Sequence, residues 1–310
     1  MKSISIVSGC YNEEENLLEL YQRITHVFAT ELQDYSYELI IIDNASTDRS
    51  VEVLRGICRE DPRVKVIVNT RNFGHIRSPY HAFLQAQGDA TIVMASDLQD
   101  PPEMIPEFVR QWEQGFKVVL AQKTNSKESR LFWLIRSTYY NLISRLSEIE
   151  LVKNATGYGL YDREVVSVIR QIDDPYPYFR GLLCELGYER ALVPFVQPAR
   201  TRGFTKNNFY TLYDTAILGI TSHSKVPLRL ATFMGLGVSA LSFLIAIAYL
   251  IYKLVFWNSF QVGQAPVIIG LFFIGAVQLF FTGVVGEYIG SIHTQVMKRP
   301  PVVERERINF

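Results

Sequence analysis

The sequence carries no net charge: 31 lysines and arginines balance 31 aspartates and glutamates. It lacks the basic footprint of a nucleic-acid-binding chain, so no nucleic-acid partner is expected. Cysteine is scarce. Cys10, Cys58 and Cys184 are odd in number and have no metal-ligand spacing. Reduced thiols in a cytosol-facing domain are the simplest account. A charged n-region followed by an apolar h-region is also missing. Met1 runs almost at once into Ser3-Ile4-Ser5-Ile6-Val7, a strand pattern, so no signal peptide is expected.

Charge is nearly absent from two long stretches. From Pro227 to Val255 the chain is almost wholly apolar, with Arg229 and Lys253 near its ends; a second run extends from Ala265 to about Val285. Each exceeds the roughly 20 residues that span a bilayer. Two such runs in succession are too long for the buried helical hairpin of a soluble protein. Neither has an ionisable residue near its centre, which disfavours a transporter. Lys225 and Arg229 precede the first run, and Lys298, Arg299, Arg305 and Arg307 follow the second. The loop from Phe256 to Gln264 has no basic residue. Both ends are therefore expected in the cytoplasm, with the protein multi-pass in the inner (plasma) membrane. The expected division is a cytoplasmic domain over 1–199, an interfacial amphipathic segment over 200–226, a two-helix transmembrane domain over 227–290, and a cytoplasmic tail over 291–310.

What is present before residue 200 is alternation. Residues 3–8, Tyr37 to Ile42, Val64 to Val68, Ala90 to Ala95 and Val118 to Ala121 read as strands. Between them lie helical patterns. One starts in Tyr11-Asn12-Glu13-Glu14-Glu15-Asn16, with Leu17, Leu18, Leu20, Ile24 and Phe28 on its apolar face. Another carries Val51, Val53, Leu54 and Ile57. Strand–helix alternation with short loops predicts an α/β fold with a mostly parallel sheet covered on both faces.

Ligands of such sheets sit beyond the carboxyl ends of the strands. The fourth strand ends in Asp97-Leu98-Gln99-Asp100-Pro101-Pro102-Glu103. Asp97 and Gln99 offer hard oxygens at i and i+2, suited to Mg²⁺ or Mn²⁺, which keep waters and take substrate phosphates as further ligands. Asp100 is expected to cap the following helix, with Glu103 in its first turn. Glu13 follows strand one. Asp43 ends strand two, where a carboxylate can accept from a nucleobase or ribose. Ser46 and Asp48 are expected to cap the next helix, and Arg71 and His75 to lie near phosphate. Singly each has a structural explanation; their convergence on one rim favours a nucleotide site.

Further on, Lys123 to Ser147 is basic on balance and includes Arg130 and Arg136. Gly157-Tyr158-Gly159-Leu160-Tyr161-Asp162-Arg163 reads as a turn into a short strand, then a helix. Arg200, Arg202 and Lys206 form a cationic stretch able to fork onto phosphate oxygens or to meet anionic head groups. An amphipathic helix bearing Phe209, Leu212, Tyr213, Ala216, Ile217 and Ile220 follows. It is expected in the membrane interface, with packing on the soluble core as the alternative.

These motifs resemble glycosyltransferase family 2, in its polyprenyl-phosphate glycosyltransferase branch, similar to dolichyl-phosphate mannose synthases and bacterial undecaprenyl-phosphate glycosyltransferases. The resemblance runs through Tyr11-Asn12-Glu13-Glu14, Asp43 to Asp48, Arg71-Asn72-Phe73-Gly74, Asp97 to Glu103, Arg200 to Lys206 and the two apolar runs. It implies a glycosyltransferase-A fold, a nucleotide-sugar donor, a divalent metal and a membrane lipid phosphate as acceptor. By resemblance, Tyr11, Asn12, Glu13, Asp43, Asn44, Arg71 and His75 fall in the nucleotide site, with Asp43 at the base-binding acid. Asp97 and Gln99 fall at metal ligands, and Arg200, Arg202 and Lys206 where the acceptor phosphate is held; Arg130 and Arg136 are second candidates. Five positions depart from the pattern. Ala95 stands where the family has an aspartate, Gly9 where it has proline, Asn44 where a second aspartate is common, and Gly157 and Gly159 where relatives carry Asp and Arg.

The implied reaction is displacement of a nucleoside diphosphate from sugar C1 by a lipid phosphate oxygen, inverting the anomeric centre. A phosphate monoester, with a second pKa of about 6, is largely dianionic at neutral pH and needs no general base. The missing aspartate at 157 is therefore compatible with activity. A nucleotide-sugar-binding scaffold without catalysis is the competing class. A processive polysaccharide synthase is disfavoured, because no Gln-x-x-Arg-Trp element follows the acidic motif and two spans are few for an export channel. Gly235, Gly237, Gly270, Gly275 and Gly283 permit helix association, so a homo-oligomer is possible.

Overall fold

The structure, a computed structural model, describes residues 1–124, 152, 154–198, 209–256 and 264–310. The elements in chain order are β1 (Lys2–Cys10), α1 (Leu17–Thr30), β2 (Tyr35–Asp43), α2 (Ser50–Glu60), β3 (Val64–Asn69), α3 (Gly74–Gln85), β4 (Ala90–Ala95), α4 (Ile105–Glu113), β5 (Val118–Lys123), β6 (Ala155–Asp162), α5 (Arg163–Ile172), α6 (Phe179–Glu185), β7 (Arg190–Phe195), α7 (Phe209–His223), α8 (Val226–Val255), α9 (Gln264–Val296) and β8 (Glu304–Ile308). A 3₁₀ turn at Pro102–Met104 precedes α4.

The eight strands form one sheet in the order β7-β5-β6-β4-β1-β2-β3-β8. The β4-β1-β2-β3 core is parallel, as expected. β6 lies antiparallel between β4 and β5, and β8 antiparallel on β3. Side chains alternate between two apolar layers because strand residues alternate in direction. Leu39 and Ile41 belong to the layer that also holds α1, α2 and α4, whereas Ile40 and Ile42 belong to the layer that holds α3, α5 and α6. Near-continuous apolar strands are what burial on both faces requires.

Some local expectations change. Tyr11 to Asn16 is a loop, and the first helix begins at Leu17. Leu18 points to solvent at 51 % exposure, because it lies outside the stripe formed by Leu17, Leu20, Ile24, Val27 and Phe28. Two strands were hidden. β7 carries Pro194, tolerated because β7 is the sheet's outer strand. β8, Glu304-Arg305-Glu306-Arg307-Ile308, reads locally as a solvated charge run, yet it closes the other edge. The departure at Gly9 has a packing cause: a Cβ there would lie 2.7 Å from Cγ of Pro79, which sits inside α3.

α8 and α9 contain windows, Val226–Ile245 and Gly270–Val296, long and apolar enough to cross a membrane, and no part of either window is buried. Their 30 and 33 residues give lengths of about 45–50 Å. α7 leads into this hairpin, and its Leu218 and Ile220 pack against Tyr178, which precedes α6. Tyr288 of α9 donates to the Ser224 carbonyl at 2.5 Å.

Candidate active site

Three neighbouring strands end in the same way. Asn12, Ala45 and Leu98, just past β1, β2 and β4, are non-glycine residues in the left-handed region, with φ of 55°, 60° and 60°. Such conformations persist only where the surroundings enforce them, and they cluster at functional sites. Here the enforcement is visible for the first two. Asn12 N–H donates to Ser46 Oγ at 2.9 Å, and Asn12 Oδ1 accepts from Thr47 N–H at 2.7 Å. Glu13 N–H donates to Ser50 Oγ at 3.0 Å. Glu14 N–H donates to Asp48, and the Glu14 carboxylate accepts from Arg49 N–H at 2.7 Å. The loops after β1 and β2 are thus stitched into one rigid rim. Ser46 joins the loops rather than capping α2; Asp48 does bond the Ser50 N–H at the start of that helix.

Asp43 is fully buried at the end of β2. Its Oδ2 accepts from Ser46 N–H at 3.0 Å, while Oδ1 has no hydrogen-bond partner. A buried carboxylate oxygen without a donor is rare in a native fold and calls for one. Beside it, Cys10 is an inert thiol, pushed up to about 12 by burial and then by the Asp43 charge.

Asn44 does something the sequence did not reveal. Its Nδ2 donates to Asn72 Oδ1 at 2.9 Å and to the Gly74 carbonyl at 3.1 Å; its Oδ1 accepts from Asn69 Nδ2 at 3.2 Å and from Phe73 N–H at 2.8 Å. The side chain acts as a bracket that shapes the loop from Arg71 to Gly74. An aspartate has no amide donors and could not make two of these bonds. Gly74, at φ 89°, then opens α3. Arg71 is exposed, with its guanidinium 4.0 Å above the Phe73 ring, and His75 sits exposed in the first turn of α3. A helix N-terminus beside the Arg71 cation favours phosphate. Tyr11 is half-buried at the head of the β1 loop.

After β4, Asp97 is 9 % exposed, and its Oδ1 accepts from Gln99 N–H at 3.1 Å. Gln99 Nε2 reaches the Pro198 carbonyl at 3.4 Å, leaving its amide oxygen for another partner. Asp100 does not cap the helix; its Oδ2 accepts from Ala95 N–H at 2.9 Å, folding the loop back on its own strand. Burial, and after it the Asp97 charge, pushes the Asp100 carboxyl up to about 6. Glu103 is in the first turn as expected and is clamped by Arg23 at 2.8 and 2.6 Å. Two residues missed from sequence brace the loop: Ser96 Oγ donates to the Gly9 carbonyl at 2.8 Å, and Tyr158 OH to the Pro101 carbonyl at 2.5 Å.

Among the described residues no group of three or more His, Cys, Asp or Glu side chains could enclose a metal. The donor set is instead two hard oxygens, on Asp97 and Gln99. Asp100 adds a nearby carboxyl whose ionisation Asp97 opposes. Such a set fits a cation that draws most of its ligands from water and diphosphate, and does not fit a fully protein-ligated one.

The β4–β6 ladder pairs Ala90 with Asp162 and ends at Val93 and Gly159, so Ala95 and Gly157 each lie two residues past the same end of it. A Cβ at Gly157 would meet open space, whereas one at Gly159 would lie 2.2 Å from the Val119 carbonyl oxygen. An arginine at 159 is thus incompatible with this strand pairing. Arg130, Arg136, Arg200, Arg202 and Lys206 lie outside the described residues.

Residues 5–170 match the profile described as Glycosyl transferase family 2, and residues 226–292 that of the GtrB C-terminal hairpin. The chain belongs to glycosyltransferase family 2. It is therefore a glycosyltransferase, and its α/β, mostly parallel sheet is the glycosyltransferase-A fold of that family. The SfII prophage-derived bactoprenol glucosyl transferase of Shigella flexneri is 34 % identical over 97 % of this chain and 96 % of its own. The uncharacterized glycosyltransferase YkcC of Bacillus subtilis is 35 % identical over 96 % and 91 %. Among solved structures, a mannosyltransferase from Pyrobaculum calidifontis with GDP-Man and Mn²⁺ aligns over 96 % of this chain and 87 % of its own, at 13 % identity and a TM-score of 0.45.

Proposed function

We propose that this glycosyltransferase moves a sugar from a nucleoside-diphosphate donor to a polyprenyl phosphate at the cytoplasmic face of the inner (plasma) membrane, with inversion at C1. The observation that carries this is one connected chain of features. One chain joins a rim with an orphaned buried carboxylate oxygen to an apolar hairpin of the GtrB type. The Shigella relative's designation as a bactoprenol glucosyl transferase supports a polyprenyl acceptor.

In this assignment Asp43 Oδ1 accepts from the nucleobase or ribose. Arg71 and His75, at the start of α3, face the diphosphate, and Tyr11, Asn12 and Glu13 form the adjoining rim. Asn44 shapes the phosphate loop without touching the donor. Asp97 and Gln99 hold Mg²⁺ or Mn²⁺, which would supply Lewis-acid stabilisation of the leaving diphosphate. The acceptor phosphate is already dianionic, so what it needs from the protein is a positive cradle and alignment with C1. The sequence assigns that cradle to Arg200, Arg202 and Lys206, with Arg130 and Arg136 as alternates. Absence of acids at 95 and 157 removes like charge from the corner where two phosphates must approach. α8 and α9 span the membrane with both ends cytoplasmic, and small residues on them permit a homo-oligomer.

The test is a screen of nucleotide sugars against undecaprenyl phosphate with purified full-length protein, with and without Mg²⁺ or Mn²⁺. The expected result is nucleoside diphosphate release that requires acceptor and metal together. Donor binding without release under every combination identifies a non-catalytic scaffold instead.

A further inference from the structure

The charged strand β8 arrives at the sheet only after the chain has returned from the apolar hairpin. Seven residues, Met297 to Val303, separate the end of α9 from it, a reach of at most about 25 Å. β8 pairs with β3 from Val66↔Ile308 to Asn69↔Glu304, with a bulge between Val68 and Asn69. Its hold is unusually specific for an edge. His81 Nε2 lies 2.6 Å from Glu304 Oε1, and Arg307 donates to both Glu304 oxygens at 2.5 and 2.6 Å and to Gln85 at 3.1 Å. Arg55 reaches Glu306 at 2.6 Å, and Asn309 Nδ2 donates to the carbonyls of Cys58 and Val64.

The upstream end of β8 matters most. The Val303 carbonyl accepts from both Thr70 N–H, at 2.9 Å, and Thr70 Oγ1, at 3.1 Å. Thr70 is the first residue after β3 and enters the Arg71–Gly74 loop. Its neighbour Asn69, paired across the bulge to Glu304, donates to Asn44 Oδ1 and to Ser78 Oγ. Thus the base of the phosphate loop is held from inside by the Asn44 bracket and from outside by the returning tail. Without β8, β3 would be an open edge, and the Thr70 donors would face water.

We propose that β8 is a positioning element for the donor site: docking of the tail fixes the Thr70–Gly74 loop, so donor binding is completed only by the segment that returns from the membrane hairpin. Val303, Glu304 and Arg307 contact no reacting group in this scheme; they act through Thr70 and Asn69. The consequence is a selective one. Loss of the tail loosens the donor phosphate loop while β1 and β4 keep their own contacts.

The experiment compares the full chain with a variant ending at Lys298, both in detergent, by amide hydrogen exchange and by titration with UDP-glucose or whichever nucleotide sugar the acceptor screen selects. In the truncated protein, exchange at Thr70–Gly74 rises while β1 and β4 stay protected. Donor affinity falls about tenfold, as expected for one or two lost hydrogen bonds, with the acceptor KM within about twofold. A synthetic peptide of residues 299–310, added in trans, restores both by strand addition. Unchanged exchange at 70–74 with unchanged donor affinity overturns the inference. So does a uniform loss of protection and of both substrate constants that the peptide does not rescue. Should the truncated chain fail to fold, Thr70→Val and Glu304→Gln in the full chain decide: a donor KM raised about threefold at unchanged melting temperature supports it, and an unchanged KM overturns it. The inference rests on the donor-site assignment above, so Asp43→Asn is run alongside. If that change leaves donor binding intact, the site assignment itself fails; if it abolishes binding while truncation does not, only the role of β8 fails.

Discussion

Asp100→Asn should stabilise the metal-free protein at pH 8 and leave it unchanged near pH 4. The Asp100 carboxyl is 7 % exposed and is raised from 3.8 to about 6, by burial first and by the charge of Asp97 after it. A raised acid prefers its neutral form in the folded state. Between about pH 4 and 6 the unfolded chain has released this proton while the fold retains it, so stability declines across that window and the full penalty stands above about 6. At about 1.4 kcal/mol per pH unit the penalty is about 3 kcal/mol. Asparagine is nearly isosteric, and its oxygen can still accept from Ala95 N–H, but it carries no charge. For a domain of this size each kcal/mol moves the melting temperature by about 2–4 °C, so the variant should melt ~6–12 °C higher at pH 8. The assay is thermal unfolding in EDTA from pH 4 to 8, repeated with millimolar Mn²⁺. A cation at Asp97 favours the ionised Asp100, so metal should narrow the gap. A constant offset across the pH range, or an asparagine variant that melts lower at pH 8, would refute the burial account.

Asp97→Asn should abolish transfer while leaving the loop's bond to Gln99 N–H in place; wild-type turnover from this variant would remove Asp97 from the metal site. Gly157→Asp should fold normally, since its side chain meets open space, whereas Gly159→Ala should cost about 3 kcal/mol or more because its Cβ would overlap the Val119 carbonyl. Equal melting temperatures for these two variants would contradict the β5–β6–β4 register. Arg202→Ala should raise the KM for lipid phosphate more than that for the nucleotide sugar, measured in steady state with each substrate varied; equal losses would show that the cradle lies elsewhere.

Much of this was legible in the order of residues. Short apolar runs placed β1 to β5, and acids and amides at the strand ends marked the rim, because run composition and loop polarity are local properties. The two apolar runs announced the hairpin by length alone. The sequence also pointed to Asp43, Asp97 and the Arg71 loop. It could not show that Asn44 brackets that loop, since all four of its bonds reach residues 25 or more positions away. Asp100 looked like a helix cap, because a cap and a carboxylate folded back onto its own strand share the same local sequence.

The sequence by itself determined the family, the parallel core and the two long apolar runs, each written in contiguous stretches of the chain. Only the tertiary structure decided which carboxylate oxygen is left without a donor, which acid is buried enough to hold its proton, and that Glu304 to Ile308 is a strand. Those outcomes depend on partners distant along the chain. A run of alternating charges has no reason to be extended until the open edge of β3 offers it main-chain hydrogen bonds and the side chains of Arg55 and His81 offer it partners.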